Sequence, residues 1–367
     1  MKVLMTADAV GGVWTYALEL SGALARHDIE VVLATMGRLP DAAQRVNVRE
    51  HANVTLACSE YKLEWMPQPW DDVERAGQWL QDLAERESVE LVHLNGYVHA
   101  ALPWRRPVIS VAHSCVCSWW QAVHGCAPPP EWQTYRDKVA AGLDGADRIV
   151  APTRAFLEQI QQIYRPTAPA CVIHNARAET FCTRTEPQER AELIFACGRL
   201  WDEAKSMRVL DTAARGLPWR TYVAGSLVAP HGSHFRVTSL RCLGELAPCD
   251  VAAWLKRATI FVHPARYEPF GLAVLEAALA GCALVLSDVP TLRELWHGAA
   301  LFVAIDDSAA LNRALRALIA EPQRVRYLSQ AARARAQQYR PELMGTAYAS
   351  LYQSLHSPSA RAEQAVA

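Results

Sequence analysis

A chain of 367 residues is long enough for two domains with separate cores. Its 37 basic and 38 acidic residues nearly cancel, which excludes the basic excess expected of a nucleic-acid binder. No apolar run reaches the roughly 18 residues of a membrane span, and Met1-Lys2-Val3-Leu4-Met5 has no signal-peptide pattern. The expectation is therefore a cytoplasmic protein with at most peripheral membrane contact.

The near-neutral total hides a split. Residues 1–175 carry 15 Lys and Arg against 20 Asp and Glu, whereas residues 176–367 carry 22 against 18. The second half is thus the better host for an anion. Ten cysteines are scattered along the chain, several inside predicted strands, which is the pattern of reduced buried thiols and not of a disulfide framework.

Lys2 to Thr6 reads as a first strand, and Gly11-Gly12 turns it into a helix carrying Trp14 and Tyr16. This is not a GxGxxG motif, and the next strand, Val31 to Thr35, ends without an acidic residue, so a dinucleotide site is not expected. A tight turn and a flexible ligand loop remain equally open at Gly11-Gly12. Leu91–Leu94, Val108–Ala112 and Arg148–Ala151 are short buried strands separated by helical stretches, the pattern of a parallel sheet covered on both faces. Ligands of such sheets gather at the carboxyl ends of the strands, where Asn95 to His99, His113-Ser114 and Pro152 to Arg154 lie.

His113, Cys115, Cys117, His124 and Cys126 invite a zinc reading, but their spacings are not those of paired zinc ligands, and no metal is expected. Eight of the twelve tryptophans precede residue 176, so some are available beyond the needs of a core. Tyr61 to Trp65 and Ser118 to Trp120 read as loops, and the flat faces of Tyr97 and Trp119 suit a sugar ring or an apolar aglycone.

Val172 to Asn175 closes the first domain, and Leu193 to Cys197 opens a second strand–helix unit. Gly198-Arg199-Leu200 and Lys205 follow that strand where a helix should begin, a place for a diphosphate held by an arginine fork and a lysine point charge. Thr221 to Gly225 is the next strand and turn. Leu240 to Leu246 holds a short strand, and Ser226 to Thr238 between them reads as a lid or a ligand-specific insertion.

Ala258 to Val262 is a buried strand, and the loop from His263 to Pro269 carries Glu268. Phe270, Gly271 and Leu272 begin a helix that ends at Gly281, before the strand Ala283–Leu286. Free N–H groups at that helix start, backed by the helix dipole, make an anion site, and Gly271 clears room for a phosphate. Glu276 lies roughly 7–8 Å farther along, at about 1.5 Å per residue. Glu268 and Glu276 could then reach hydroxyls on either side of a diphosphate, although a dipole partner or a solvated face would explain each singly. Leu311 to Tyr339 reads as helical and Arg-rich, Pro341 to Leu355 as the last helix, and Ser357 to Ala367 as a disordered tail.

Glu268-x7-Glu276, the intervening Pro269-Phe270-Gly271-Leu272, the following Ala277, Ala280 and Gly281, and the earlier Gly198-Arg199-Leu200 with Lys205 resemble the signatures of retaining glycosyltransferases of family 4. The resemblance covers nearly the whole chain. It implies an α/β GT-B fold, two Rossmann-like parallel-sheet domains facing a central cleft with the last helix crossing back. The domains would be 1–173 with 341–356, on the acceptor side, and 174–340, on the nucleotide-sugar side. It further implies a nucleotide-diphosphate sugar as co-substrate, UDP- or GDP-linked, with no cofactor and no metal, and a sugar or aglycone acceptor.

By resemblance Arg199, Lys205, Glu268 and His113 are the catalytic candidates. Gly11 and Gly12 would close over the donor phosphate, Leu243 and Gly244 border the base, and Asn175 lead into the second domain. An epimerase of the same architecture and a non-catalytic relative are the rival readings. The donor sugar, the acceptor and the oligomeric state are left open.

Overall fold

Valine, isoleucine and leucine crowd the short strands, and strands buried on both faces pack as parallel sheets. The computed structural model describes residues 1–178, 190–229, 232 and 234–356, so the expected tail from Ser357 lies outside the described residues. The chain divides into two units. Unit 1 comprises Met1–Trp120, Ala127–Ala176 and the chain from Pro341 onward; unit 2 comprises Gln121–Cys126 and Arg177–Arg340.

Unit 1 begins with β1 (Lys2–Asp8), α1 (Gly12–Leu24), β2 (Glu30–Met36), α2 (Ala42–Arg49), β3 (Val54–Cys58) and α3 (Trp70–Arg86). It continues with β4 (Leu91–Leu94), β5 (Val108–Val111), the first part of α4 (Val116–His124, counted with unit 2 from Gln121), α5 (Gln133–Gly145), β6 (Arg148–Ala151), α6 (Arg154–Tyr164) and β7 (Ala170–Val172). Its seven parallel strands run in the order β3-β2-β1-β4-β5-β6-β7. Caps follow the sequence: Asp41 and Gln44 form a reciprocal capping box on α2, and Thr153 caps α6 through the N–H of Phe156.

Unit 2 holds β8 (Ala191–Cys197), α7 (Met207–Ala213), β9 (Arg220–Ala224), β10 (Arg241–Cys242), α8 (Pro248–Arg257) and β11 (Ala258–His263). Then come α9 (Leu272–Ala280), β12 (Ala283–Ser287), α10 (Pro290–Trp296), β13 (Leu301–Val303), α11 (Ser308–Ala320) and α12 (Pro322–Ala336). Six parallel strands run β10-β9-β8-β11-β12-β13. Because side chains alternate along a strand, Phe195 and Phe261 enter one core with Leu275 and Trp296, while Ile194 and Ile260 enter another with Leu210 and Leu315.

The last helix, α13 (Pro341–His356), belongs to unit 1, where Tyr348 and Tyr352 pack with Tyr16 and Leu20 of α1. This is the crossing-back helix of the expected fold. Several local expectations change. The helical stretch expected over Leu311 to Tyr339 is present and is divided into α11 and α12 at Pro322, which cannot donate to a continuing ladder. Trp119 and Trp120 sit in α4 and not in a loop. β7 ends at Val172, short of Asn175, and the edge strand β3 was not anticipated.

The approach of α13 to α1 rests on one missing side chain: a Cβ on Gly345 would lie 2.7 Å from the Cβ of Ala23 and 3.2 Å from its backbone. Gly345→Leu should therefore destabilise the protein by about 1–3 kcal/mol, the usual range for overpacking. Urea unfolding checks this as a lower midpoint at an unchanged slope. An unchanged midpoint would mean that the helix is not held this tightly.

Candidate active site

In unit 2 the strand order reverses between β8 and β11, and the loops leaving these neighbours are the ones that carry the motifs. Such a switch point is where doubly wound sheets bind ligands. After β8 the chain passes Gly198 and Arg199 to Asp202, whose Oδ1 accepts from the N–H of Ala204 at 3.0 Å and starts a short 3-10 turn, Glu203–Lys205. The carbonyl of Ala204 accepts from the N–H of Arg266 at 2.8 Å, which ties this turn to the loop after β11.

The tie brings Lys205 onto Glu268. Lys205 Nζ donates to Glu268 Oε2 at 2.7 Å, and His263 Nε2 donates to the same oxygen at 2.8 Å. Thr291 Oγ1 holds the Glu268 carbonyl at 2.6 Å from the start of α10. Burial alone would raise the Glu268 carboxyl, but the Lys205 charge and the His263 hydrogen bond outweigh it and hold it well below the usual carboxylate range. At neutral pH Glu268 is an anion that can accept from hydroxyls and has no proton to give. His263, at the last position of β11, was missed by sequence reasoning, although a histidine ending a buried strand beside the glutamate loop was a readable signal.

Gly271 stands before α9 at φ 88°, the left-handed region, where a side chain would also press on Val274 and Glu268. Among the described residues the N–H groups of Phe270, Gly271 and Leu272 have no acceptor, so the positive end of the helix stays open. The Phe270 side chain is buried edge-on against Tyr339 at 5.7 Å; only its backbone faces this start. Leu272 is half-buried. Glu276 is not a solvated face: Arg177 Nε donates to its Oε1 at 2.7 Å, with both side chains mostly buried. Arg177 follows no motif, and the sequence offered no signal for it.

The Arg199 side chain is 58% exposed, pairs with Asp202 Oδ2 at 2.9 Å and lies over the Trp201 ring. Leu243 and Gly244 are tied to the end of β9, through Leu243 N to the Val223 carbonyl and the Gly244 carbonyl to Gly225 N. The segment Ser226 to Thr238 is anchored where it is described: Phe235 is buried, and Asp211 accepts from Thr238, Ser239 and Leu240. Pro230, His231 and Ser233 lie outside the described residues.

In unit 1 the corresponding switch lies between β1 and β4. Gly11, at φ 81°, precedes α1, which starts at Gly12, and the Ala9 carbonyl of this loop is held by Arg38 Nη2 at 3.0 Å and Gln44 Nε2 at 2.9 Å. His113, half-buried after β5, donates from Nε2 to Asn95 Oδ1 at 2.8 Å and meets the Tyr16 ring edge-on at 4.5 Å. Desolvation, with His93 as a lesser cause, holds its pKa down to about 3, so His113 is neutral at physiological pH.

Tyr97 is not an exposed platform. It is buried, and its hydroxyl donates to the Ser114 carbonyl at 2.8 Å. Trp119 is half-buried on α4 beside Trp120, and Asn175 is buried beyond β7. Trp65 of the Tyr61 to Trp65 segment is 48% exposed. Among the described residues no three His, Cys, Asp or Glu side chains converge as a metal set.

Removing one member of a buried ion pair strands the other, and Glu268→Gln should cost about 3 kcal/mol, the low end of that effect. Because the folded carboxyl titrates below its ordinary value of 4.5, its stabilisation is complete above that pH and lost as pH falls through the folded value. Unfolding curves of wild type and variant should thus converge in acid and separate by pH 6. A difference that is constant with pH would contradict the pairing.

Residues 10–177 match the sequence model described as Glycosyltransferase Family 4, and residues 191–321 match that of Glycosyl transferases group 1. Glycogen synthase of Mycobacterium tuberculosis is 30% identical over 224 residues, 56% of this chain and 54% of that protein. The lipopolysaccharide core biosynthesis mannosyltransferase LpcC of Rhizobium leguminosarum bv. viciae is 40% identical over 82 residues, 22% of this chain and 23% of that one. The chain spans about half the length of the glycogen synthase it matches. Among solved structures, sucrose-phosphate synthase of Thermosynechococcus elongatus has a TM-score of 0.80 at 18% identity, covering 97% of this chain and 99% of its own. Anabaena HepE, in complex with UDP and glucose, has a TM-score of 0.75 at 18% identity, covering 97% and 100%. With both units matched in order and the two parallel sheets in place, the chain belongs to glycosyltransferase family 4 and has the GT-B fold.

Proposed function

We propose that the chain is a retaining glycosyltransferase that moves a sugar from a UDP- or GDP-linked donor to a glycan, lipid-linked or small-molecule acceptor. One observation carries the reading: Lys205, the Glu268 carboxylate and the open start of α9 stand together at the ends of adjacent central strands. The relatives whose names describe transfer of sugars, and a neighbour of the same fold in complex with UDP-glucose, support it. The donor is assigned to unit 2 and the acceptor to unit 1, and the enzyme is assigned to the cytoplasm. No helix among the described residues is long and apolar enough to cross a membrane.

In this scheme the α9 start and Lys205 receive the diphosphate, and Arg199 leaves Asp202 to join them. Charge that develops on the leaving phosphate is met by groups already in place, the kind of preorganised electrostatics that often dominates catalysis. Glu268 accepts hydroxyls of the donor sugar, and Glu276 accepts ribose hydroxyls while Arg177 holds its carboxylate. The bond from C1 to the phosphate oxygen breaks as the acceptor oxygen bonds C1 on the same face, and the acceptor proton passes to the departing phosphate. No protein nucleophile is needed.

Nucleoside diphosphate should be released from a nucleotide sugar only when an acceptor is present, with the product keeping the donor's anomeric configuration. Interconversion of the sugar without acceptor would point to an epimerase instead. Lys205→Ala and Arg199→Ala should each lower turnover by about 100-fold, as does loss of a charge-stabilising donor elsewhere. Glu276→Ala should weaken binding of the free nucleotide, and calorimetry would expose a wrong assignment if affinity were unchanged.

Turnover should also persist in excess EDTA, because the positive charge is assigned to Lys205, Arg199 and the helix start, and the chain has no Asp-x-Asp to gather a hard cation. Complete loss with chelator, restored by a divalent metal, would overturn that charge assignment.

A further inference from the structure

Unit 1 contains a polar chain that the transfer scheme does not use. It starts on α13, where Tyr352 OH lies 2.6 Å from His93 Nδ1, crosses the His93 ring in β4, and reaches Asn95 Oδ1, 3.2 Å from His93 Nε2. His113 closes it from the other side, its Nε2 2.8 Å from the same Asn95 oxygen. Tyr16, His93 and Tyr352 are fully buried, and Thr6 is nearly so. The surroundings are apolar: Met5, Leu91 and Val111 belong to the same core. Polar groups placed in such a core destabilise it unless each finds a partner, and a satisfied network rigidifies what it touches.

The amide of Asn95 cannot turn. Its Nδ2 donates to the Thr6 carbonyl at 2.7 Å, and its backbone N–H donates to Thr6 Oγ1 at 2.9 Å. The oxygen is therefore the atom presented to both imidazoles, and an amide oxygen only accepts. His113 Nε2 therefore carries the ring proton, which leaves an Nδ1 lone pair with no partner among the described residues. His93 Nε2 also meets the Tyr16 hydroxyl at 3.3 Å, so the hydroxyls of Tyr16 and Tyr352 satisfy that ring in either tautomer.

We propose that Asn95 is a positioning residue that locks His113 in the Nε2–H form, making Nδ1 a standing acceptor for a hydroxyl of the sugar substrate. The substrate half of this inference rests on the glycosyltransferase reading; the tautomer half does not. The groups that face His113 are Tyr16 from α1, His93 from β4 and Asn95 after it, with Tyr348 and Tyr352 of α13 behind His93. None of these is a carboxylate. Both histidines are held down to about 3, mainly by desolvation, so neither charges between pH 5 and 9.

The test is nitrogen NMR of the full chain labelled with ¹⁵N-histidine, titrated from pH 5 to 9, for the wild type and Asn95→Asp. The wild-type His113 should show an unprotonated Nδ1, a protonated Nε2 and no titration. Asn95→Asp is nearly isosteric and sets an anion against both rings, so His113 should begin to titrate inside this range. Turnover of the variant should then fall at least tenfold at low pH and recover as His113 loses its added proton, a profile that a purely structural defect would not produce. An Nδ1–H imidazole in the wild type, or titration near its ordinary value, overturns the proposal even if the variant does not fold. Full turnover by His113→Ala would instead overturn the substrate half and leave the tautomer assignment standing.

Discussion

A single carboxylate oxygen organises the candidate donor site. Glu268 Oε2 takes both the Lys205 ammonium and the His263 N–H, in a place where neither charge is well hydrated. A buried pair of this kind gives little net stability against an apolar alternative, because desolvation offsets most of the attraction. Its consequence is geometric. Lys205 comes from the loop after β8 and Glu268 from the loop after β11, so the pair makes two loops one object. The N–H of Arg266 on the Ala204 carbonyl and Thr291 on the Glu268 carbonyl reinforce the same junction. A positive charge, an acceptor carboxylate and an open helix start are thereby fixed before any ligand arrives.

The two units use one topology with opposite electrostatics. Unit 2 places ions at its switch point: Lys205 with Glu268, and Arg177 with Glu276. Unit 1 places neutral groups there, with His93 and His113 kept uncharged and joined through an amide. Charged groups suit a diphosphate, whose own charge repays part of their desolvation. Neutral acceptors and donors suit hydroxyls, which are recognised by direction more than by charge.

Most of the architecture was legible because parallel strands buried on both faces are continuous apolar runs, and Leu91–Leu94 and Arg148–Ala151 end where their composition changes. Edge elements were harder. β3 is only half-buried and lacks the buried run of a central strand, and β10, expected within Leu240 to Leu246, is two exposed residues. The helical reading of Leu311–Tyr339 holds, with its break at Pro322 left unmarked. In the site, Glu268, Lys205 and Gly271 could be read because short-range spacing places them on strand-to-helix turns. Arg177, His93 and Tyr352 could not, since their partners lie far away in the chain: Tyr352 is 259 residues from His93. Tyr97 misled for a related reason, because an aromatic between elements looks like a platform until its hydroxyl is seen to be occupied within the fold.

The most direct measurement of the central claim, a diphosphate site preformed in unit 2, is calorimetric comparison of a nucleoside with its diphosphate on the full chain and on Lys205→Met. The account predicts that the diphosphate binds at least about tenfold tighter than the nucleoside, a difference of about 1.4 kcal/mol or more, and that Lys205→Met removes most of that advantage. Equal affinity of nucleoside and diphosphate for the wild type, for both uridine and guanosine, would contradict it.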